Sequence, residues 1–428
     1  SWQLSMYIKQ VKTIVGLLFM VSLTSALSYA GDQETPDELL NEALLDDDFE
    51  LEFLVEEDLI AAQNKPLKLS VQHLVAVDPQ VSYQRTHHTT DIRLSSETPM
   101  GLLGYAEVEL KALQYWQGDA HKPPSRDLSV LEVERLVLQY SLAKISIKFG
   151  RYLLNWGEVE GAGVLDVINP APNLTDIDAV YTPQWLLNGS YYMPAAQASW
   201  FVGLKPSVAK VPQMQLSSNV TQEWGGRYSH TGAASDWAVY AGHMVPNKPV
   251  LDLATATASA QAYQLLGYSW NKARNNALFK FDIAYKRGLE HNLGYTGLKS
   301  DQRLDMALGL ELKQGERQWD ASLVVQHWLN YQANYLTPAV PPVASNEADM
   351  SYSLGVKDSF NNANYNWSLV HLGTPSGSLR MVTGELSWAP VDPWKTSLSY
   401  TTTMAQSNTL YALINSNQRL TLKTKFSY

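Results

Sequence analysis

The densest set of chemically capable residues lies between Gly150 and Asp178. GRYLLNWGEVEGAGVLDVINPAPN, Gly150 to Asn173, is followed closely by Asp176, Asp178 and Tyr181. Arg151, Trp156, Gly157, Glu158, Glu160, Asp166, Asn169, Asp176 and Asp178 are its candidate functional residues. Gly157, Gly161 and Gly163 let the backbone turn sharply there. Carboxylates held opposite Lys and Arg across a narrow passage set a transverse field and select solutes by charge. The plainer chemistry is structural: Trp156, Leu165, Val167 and Ile168 anchor the segment, and Glu158 pairs with Arg151. A third chemistry, hydrolysis by Asp166, Asp176 and Asp178 with a loop histidine, finds little support. The chain has no H-E-x-x-H, G-x-S-x-G or P-loop. His87 and His88 are adjacent, so on a strand they point to opposite faces and make a poor metal pair. Without cysteine there is no disulfide scaffold, thiol catalysis or thiolate metal site. No catalytic residue, metal or cofactor is expected, and the chain does not read as an enzyme.

The elements that must position this loop are strands. Phe279, Phe281, Ile283 and Tyr285 alternate with Lys280, Asp282, Ala284 and Lys286. Leu304, Met306, Leu308, Leu310 and Leu312 alternate with Asp305, Ala307, Gly309, Glu311 and Lys313. Met350, Tyr352, Leu354 and Val356 alternate with Ser351, Ser353, Gly355 and Lys357. Such runs reach roughly ten residues, the length a tilted strand needs to cross a bilayer. Beyond Lys65 no stretch is apolar enough for a transmembrane helix.

The connections alternate in length. Tight turns are expected at Ser141–Lys144, Pro194–Ala196, Gly232–Ser235, Ala273–Asn276, Gln314–Arg317 and Asn361–Ala363. Longer loops fall at Gly118–Asp127, Asn155–Pro183, Pro206–Ser218, Val245–Ser259, Gly288–Ser300 and Gln332–Ala348. Tight turns on one side and long loops on the other are the rule for outer-membrane barrels. The final strand, NQRLTLKTKFSY, puts Leu420, Leu422, Thr424, Phe426 and Tyr428 on one face up to the last residue. A strand that ends on an aromatic at the chain end fits closure of a sheet in lipid, where an open edge is not tolerated. The fold expected is all-β: a transmembrane antiparallel up-and-down barrel of about 16–18 strands over residues 65–428, both termini periplasmic. A barrel of that size can hold an aqueous lumen.

Composition agrees. There are 23 Tyr and 13 Trp against 9 Phe, an excess of rings with one polar end that suits membrane interfaces. Residues 1–30 read as a signal peptide with upstream residues: Lys9 and Lys12, an apolar run Ile14–Leu23, then Ser28 and Ala30 before Gly31. Residues 31–64 form an acidic periplasmic leader. Thirteen of the chain's 42 Asp and Glu, and no Lys or Arg, lie in Gly31–Ile60, so the remainder is nearly neutral: 29 acids against 30 bases. Leu39, Leu40, Ala43, Leu44, Phe49, Phe53, Val55 and Leu59 recur there at loosely helical spacing, consistent with docking on a periplasmic partner. With no basic face, nucleic acid is not a partner.

The Gly150–Asn173 segment also carries a family resemblance. Its order of arginine, W-G-E and D-V-I-N-P resembles a family of Gram-negative outer-membrane barrels of unassigned function, which carry G-R-x-x-x-x-W-G-x followed by x-V-x-N-P. The resemblance covers most of the chain beyond Lys65, including WLLNGSYYMP at Trp185–Pro194 and EWGGRYS at Glu223–Ser229. Members are often encoded beside inner-membrane transporters of the resistance-nodulation-division type. This implies envelope transport of an amphipathic or lipidic molecule, with outer-membrane lipids and a periplasmic or inner-membrane transporter component as partners. The acidic leader is not part of the family pattern. A general porin for small polar solutes and a non-transport binding or adhesion barrel are the alternative readings. Under any transport reading the 155–183 loop is expected to constrict the lumen.

Overall fold

The computed structural model describes residues 67–79, 84–116, 129–159, 163–169, 181–206, 208, 216–217, 222–233, 235–337, 342–361, 364–389, 391, 393–406 and 418–428. Residues 1–66, with the expected signal peptide and acidic leader, lie outside that set.

The alternating runs form one antiparallel sheet of twenty strands, and two of these are short loop pieces, Tyr335–Thr337 and Val343–Ala344. The other eighteen are β1 (Lys68–Asp78), β2 (Gln84–Met100), β3 (Gly104–Tyr115), β4 (Ser129–Leu142), β5 (Ile145–Tyr152) and β6 (Gln184–Met193). There follow β7 (Ala196–Lys205), β8 (Glu223–Thr231), β9 (Ser235–Met244), β10 (Tyr263–Arg274), β11 (Ala277–Leu293) and β12 (Leu298–Gln314). The last six are β13 (Arg317–Trp328), β14 (Ala348–Phe360), β15 (Tyr365–Gly373), β16 (Leu379–Trp388), β17 (Trp394–Ala405) and β18 (Gln418–Ser427). Each pairs with its chain neighbours, and β1 also pairs with β18, from Ser70↔Ser427 to Val77↔Leu420. The ring is closed, so no edge is left with unpaired backbone groups. Lys68–Leu94 supplies two strands, which selects eighteen over sixteen.

Closest contacts group Pro66–Glu97 and Glu107–Tyr428 as one unit, the barrel wall. Thr98–Ala106, assigned to another unit, is a hairpin tip with Gly101 at positive φ.

The two faces of the wall follow the sequence alternation. Leu308, Leu354, Leu369, Leu386, Leu398 and Leu422 are exposed on the outside, while Asp282, Ala284, Asp305 and Ala307 are buried on the inside. A belt of leucine on the outer face suits lipid rather than water. Aromatics rim it: Phe360 stacks on Tyr365 at 5.0 Å and Trp394 meets Phe426 at 4.9 Å near the tight turns. Trp224 with His243 and Trp116 with His88 rim the side of the long loops.

The tight turns at Ser141–Lys144, Pro194–Ala196, Ala273–Asn276 and Gln314–Arg317 form as expected; Asn275 in one of them and Asn361 just past the end of β14 are at positive φ, a conformation asparagine tolerates. One expected loop does not form. Gly288–Ser300 is the extension of the β11–β12 hairpin, whose ladder continues past a register shift at Arg287/Leu289 to Asn292↔Leu298. The glycines and charges that look like loop residues serve a bulge at Gly288, φ 99°, and a short tip. Neighbouring loops fold onto this hairpin. Tyr335–Thr337 adds to β11 through Asn292↔Leu336, and the Tyr335 hydroxyl donates to Asp301 at 2.7 Å. Leu253 N donates to the Asn292 side chain at 2.9 Å.

Candidate functional site

β5 ends at Tyr152, and the chain then turns back inside the barrel instead of leaving over the rim. The turn is fixed at its base. Asn169 Nδ2 donates to Leu154 O at 2.9 Å and to Asn155 Oδ1 at 3.1 Å, and Leu154 N donates to Asn169 Oδ1 at 3.2 Å. Gln184 Nε2 donates to Ile168 O, joining the returning limb to the start of β6. Arg151 completes the base, donating to Val133 O at 2.5 Å and Pro183 O at 3.3 Å.

The tip of the segment is latched to the wall by one carboxylate. Asp282, on the inner face of β11, accepts from Glu158 N at 3.0 and 3.1 Å and from Val159 N at 2.9 Å. Gly157 precedes this latch with φ 89°, and a Cβ there would stand 2.8 Å from the Asp282 carboxylate. Glycine is therefore required twice over, by backbone conformation and by space. Glu158 itself accepts from Asn271 Nδ2 at 2.8 Å and makes no pair with Arg151, so the expected Glu158–Arg151 ion pair does not form. The geometric reason is that Arg151 stays at the rim while Glu158 is carried to β10.

The wall is cut away where the segment's side chains land. Trp156 packs between Phe201 and Tyr240, each ring 5.2 Å away, over Gly225 of β8, whose added Cβ would meet the indole at 2.5 Å. Leu165 occupies the space a side chain at Gly267 of β10 would need, and Val159 lies against Gly309 of β12. Val164, Leu165 and Ile168 are fully buried. A second polar tie comes from β11 and β12: Lys286 Nζ donates to Gly163 O at 3.2 Å and pairs with Asp305 at 2.7 Å, while Arg303 grips the same carboxylate at 2.6 and 2.8 Å. Lys286 and Asp305 are almost wholly buried, so each depends on the other for its charge.

Asp166 is the unsatisfied member. Its Oδ1 is buried without a hydrogen-bond partner among the described residues. Burial, with a smaller contribution from the negative charge of Asp282, pushes its carboxyl up from 3.8 to about 6. Burial, then the Asp166 charge, also raises the Tyr181 hydroxyl.

The structure thus brings together Trp156, Gly157, Glu158 and Asp166 against the inner wall, with Arg151 and Asn169 at the base. Glu160, Asp176 and Asp178 lie outside the described residues. The wall partners Asp282, Lys286, Asp305 and the three glycines are not marked as site residues by the sequence. Their signal was inward parity on alternating strands, but polar residues are ordinary on a lumen-facing wall and parity does not say which strand the loop will reach.

These features define a class: a closed eighteen-stranded β-barrel of outer-membrane type, with an inward-folded loop. No protein-family model matches the chain, and no curated protein matches it. Solved structures do. OccAB4 of Acinetobacter baumannii is similar at TM-score 0.55 and 11% identity, covering 85% of this chain and 97% of its own. The outer membrane protein OpdK of Pseudomonas aeruginosa is similar at TM-score 0.54 and 9% identity, covering 85% of this chain and 98% of its own. OccK8 (OprE) of the same organism gives TM-score 0.54 and 7% identity, with 85% and 97% covered. At such identities the likeness is one of fold.

Proposed function

We propose that the protein is a channel of the Gram-negative outer membrane whose passage is narrowed by the 155–183 loop. The observation that carries this reading is the latch of Glu158 N and Val159 N on Asp282, which holds the loop inside the ring and not above it. Nine strands away in a ring of eighteen, β1 and β2 present Gln72, Asp91 and Arg93 to the same lumen. Across the passage from Glu158 and Asp282, Arg93 is paired with Asp91 at 2.9 Å and Glu109 at 3.4 Å, so the two walls set charged clusters against each other and not a bare cation against acids. The site residues select solutes by charge and do no covalent chemistry. The start of β1 and the end of β18 lie on the side of the tight turns, which is the periplasmic end in such barrels. The acidic leader then lies in the periplasm, available to a transporter component.

Small polar solutes suit most of the inner wall. Ser351, Ser353, Thr383, Ser397, Thr401 and Thr403 share the inward parity of β14, β16 and β17, and Thr383 and Thr401 lie within hydrogen-bond distance, 3.1 Å. A second reading, amphipathic or lipidic cargo, is favoured by Val324, Val370, Leu372 and Met381, which share the inward parity of β13, β15 and β16. Single-channel conductance of the refolded barrel, beside a variant with the Glu158–Asp178 segment shortened, tests the proposal. A steady conductance enlarged by the deletion is expected for a constricted porin. Silence that opens on deletion points to the second reading, and silence in both variants rejects a channel.

A further inference from the structure

The alternation of β17 and β18 has an electrostatic consequence at the tight-turn end of the lumen. Trp394 and Leu398 are exposed on the outer face, so Lys395 falls on the inner one, as do Lys423 and Lys425 between Leu422, Thr424 and Phe426. Register then sets Lys395 directly opposite Lys425, and Lys425 opposite Gln72 on its other side. Lys423 stands opposite Ser397 and Leu74. Three ammonium groups thus crowd one patch of wall, and every direct cross-strand neighbour is a lysine, an amide, a hydroxyl or an apolar side chain. Like charges directly opposite on a sheet destabilise it.

No carboxylate of the described residues pairs with them. Among the described residues none of the three lysines makes an ion pair, whereas the acids nearby are already engaged: Glu97 with Lys68 at 3.2 Å, Asp91 and Glu109 with Arg93 at 2.9 and 3.4 Å. Beside the patch the wall hollows into a half-open recess of about 510 Å³, lined on one edge by Lys425, Lys68, Gln72, Ser70 and Ser427 and on the other by Arg93 with its two carboxylate partners, Asp91 and Glu109. The recess has room for a small solute, and its Lys425 edge offers donors: ammonium, amide and hydroxyl hydrogens. We infer that Lys395, Lys423 and Lys425, with the Gln72 amide, form a binding site for a multiply charged oxyanion, a phosphorylated or polycarboxylate solute, at the tight-turn mouth of the lumen. Ammonium groups act as point charges toward such oxygens, without the bidentate geometry of arginine, so the site selects charge more than shape. The site deepens the channel reading, on which its part in transport rests; the binding itself does not depend on that reading.

The test is titration calorimetry of the refolded barrel with tripolyphosphate, and separately with citrate, at low and at physiological salt. The expected result is one site that weakens as salt rises. Its affinity should fall tenfold or more in Lys395→Gln/Lys423→Gln/Lys425→Gln. Lys357→Gln, which removes an inward lysine of β14 instead, matches the single variant Lys425→Gln in net charge and should bind like the parent, whereas Lys425→Gln should weaken binding. Retained heat-modifiability on gels shows that each variant has folded. Absence of binding in the parent overturns the site, and so does equal binding in the triple variant, or equal loss in Lys357→Gln. Binding with a bilayer that stays silent for both the parent and the shortened-loop variant would leave the site standing and remove the channel reading alone.

Discussion

The inner wall of β7–β12 and that of β14–β18 are built from the same alternation and end up with opposite chemistry. On β8, β10 and β12 the inward positions include Gly225, Gly267 and Gly309, and the space they leave is filled by Trp156, Leu165 and Val159 of the loop. The charges there are buried and paired, as Asp305 is with Lys286 and Arg303. On β14–β18 the inward positions are mainly serine, threonine and lysine, short of apolar packing partners. The difference teaches where the packing resides. One sector is a packed core that happens to sit inside a barrel; the other leaves hydroxyl and ammonium groups without apolar cover.

The comparison breaks most visibly at Asp305. Asp305→Ala leaves Lys286 and Arg303 without their counter-charge in a nearly dry site, and removing one partner of such a group costs about 3–5 kcal/mol. Unfolding of the refolded barrel in urea should show that loss, whereas a change below about 1 kcal/mol would mean the triad is wetter than its burial indicates.

Next comes the outer face, which both sectors share. Leu308→Arg puts a charge among exposed leucines of the lipid belt and should cost about 2–4 kcal/mol near mid-membrane. Little effect in the same assay would mean that the faces are assigned the wrong way round.

Asp282→Ala sharpens the contrast more selectively. It strips the Glu158 and Val159 amides of their acceptor, and hydrogen bonds to a charged group are worth about 1.5–3 kcal/mol. The barrel should still refold, but the loop should become open to protease and the conductance larger and noisier. Unchanged conductance with a cleavable loop would separate the latch from the constriction.

A titration separates the sectors without mutation. Asp166 in the docked loop has its carboxyl raised to about 6 by burial and by Asp282, above its ordinary 3.8. A raised acid favours the docked state fully below pH 3.8, and that contribution is lost as pH rises through about 6. Protease susceptibility of the loop should therefore increase between those values and then level off. Asp166→Asn should remove the dependence.

The smallest effect is expected in the hydroxyl sector. Thr401→Val removes one partner of the Thr383 contact on a solvated wall, and the change should stay within about 0.5–1 kcal/mol, the worth of one ordinary hydrogen bond. A larger loss would show that this wall is packed like its counterpart.

Much of this was legible in the residues themselves. Period-two alternation assigned the faces of β11, β12 and β14, because a strand that meets lipid on one side and water on the other has to alternate. Tight polar turns fixed their own ends, since Asn275 and Asn361 accept the positive φ that such turns impose. The alternation misled only at Gly288–Ser300, where a bulge lets a strand continue beyond the membrane and its residues resemble those of a loop.

The sequence by itself determined that the chain alternates, that Asn417–Tyr428 reads as a strand with an aromatic at its end, and that a glycine-rich acidic loop follows β5, because those properties depend on neighbours one or two residues away. Only the tertiary structure decided where that loop goes. Its latch, Asp282, is more than a hundred residues distant along the chain, and its cradle is assembled from single positions on three different strands. Contacts of that kind are fixed by register around a closed ring, and no local pattern carries the register of the whole ring.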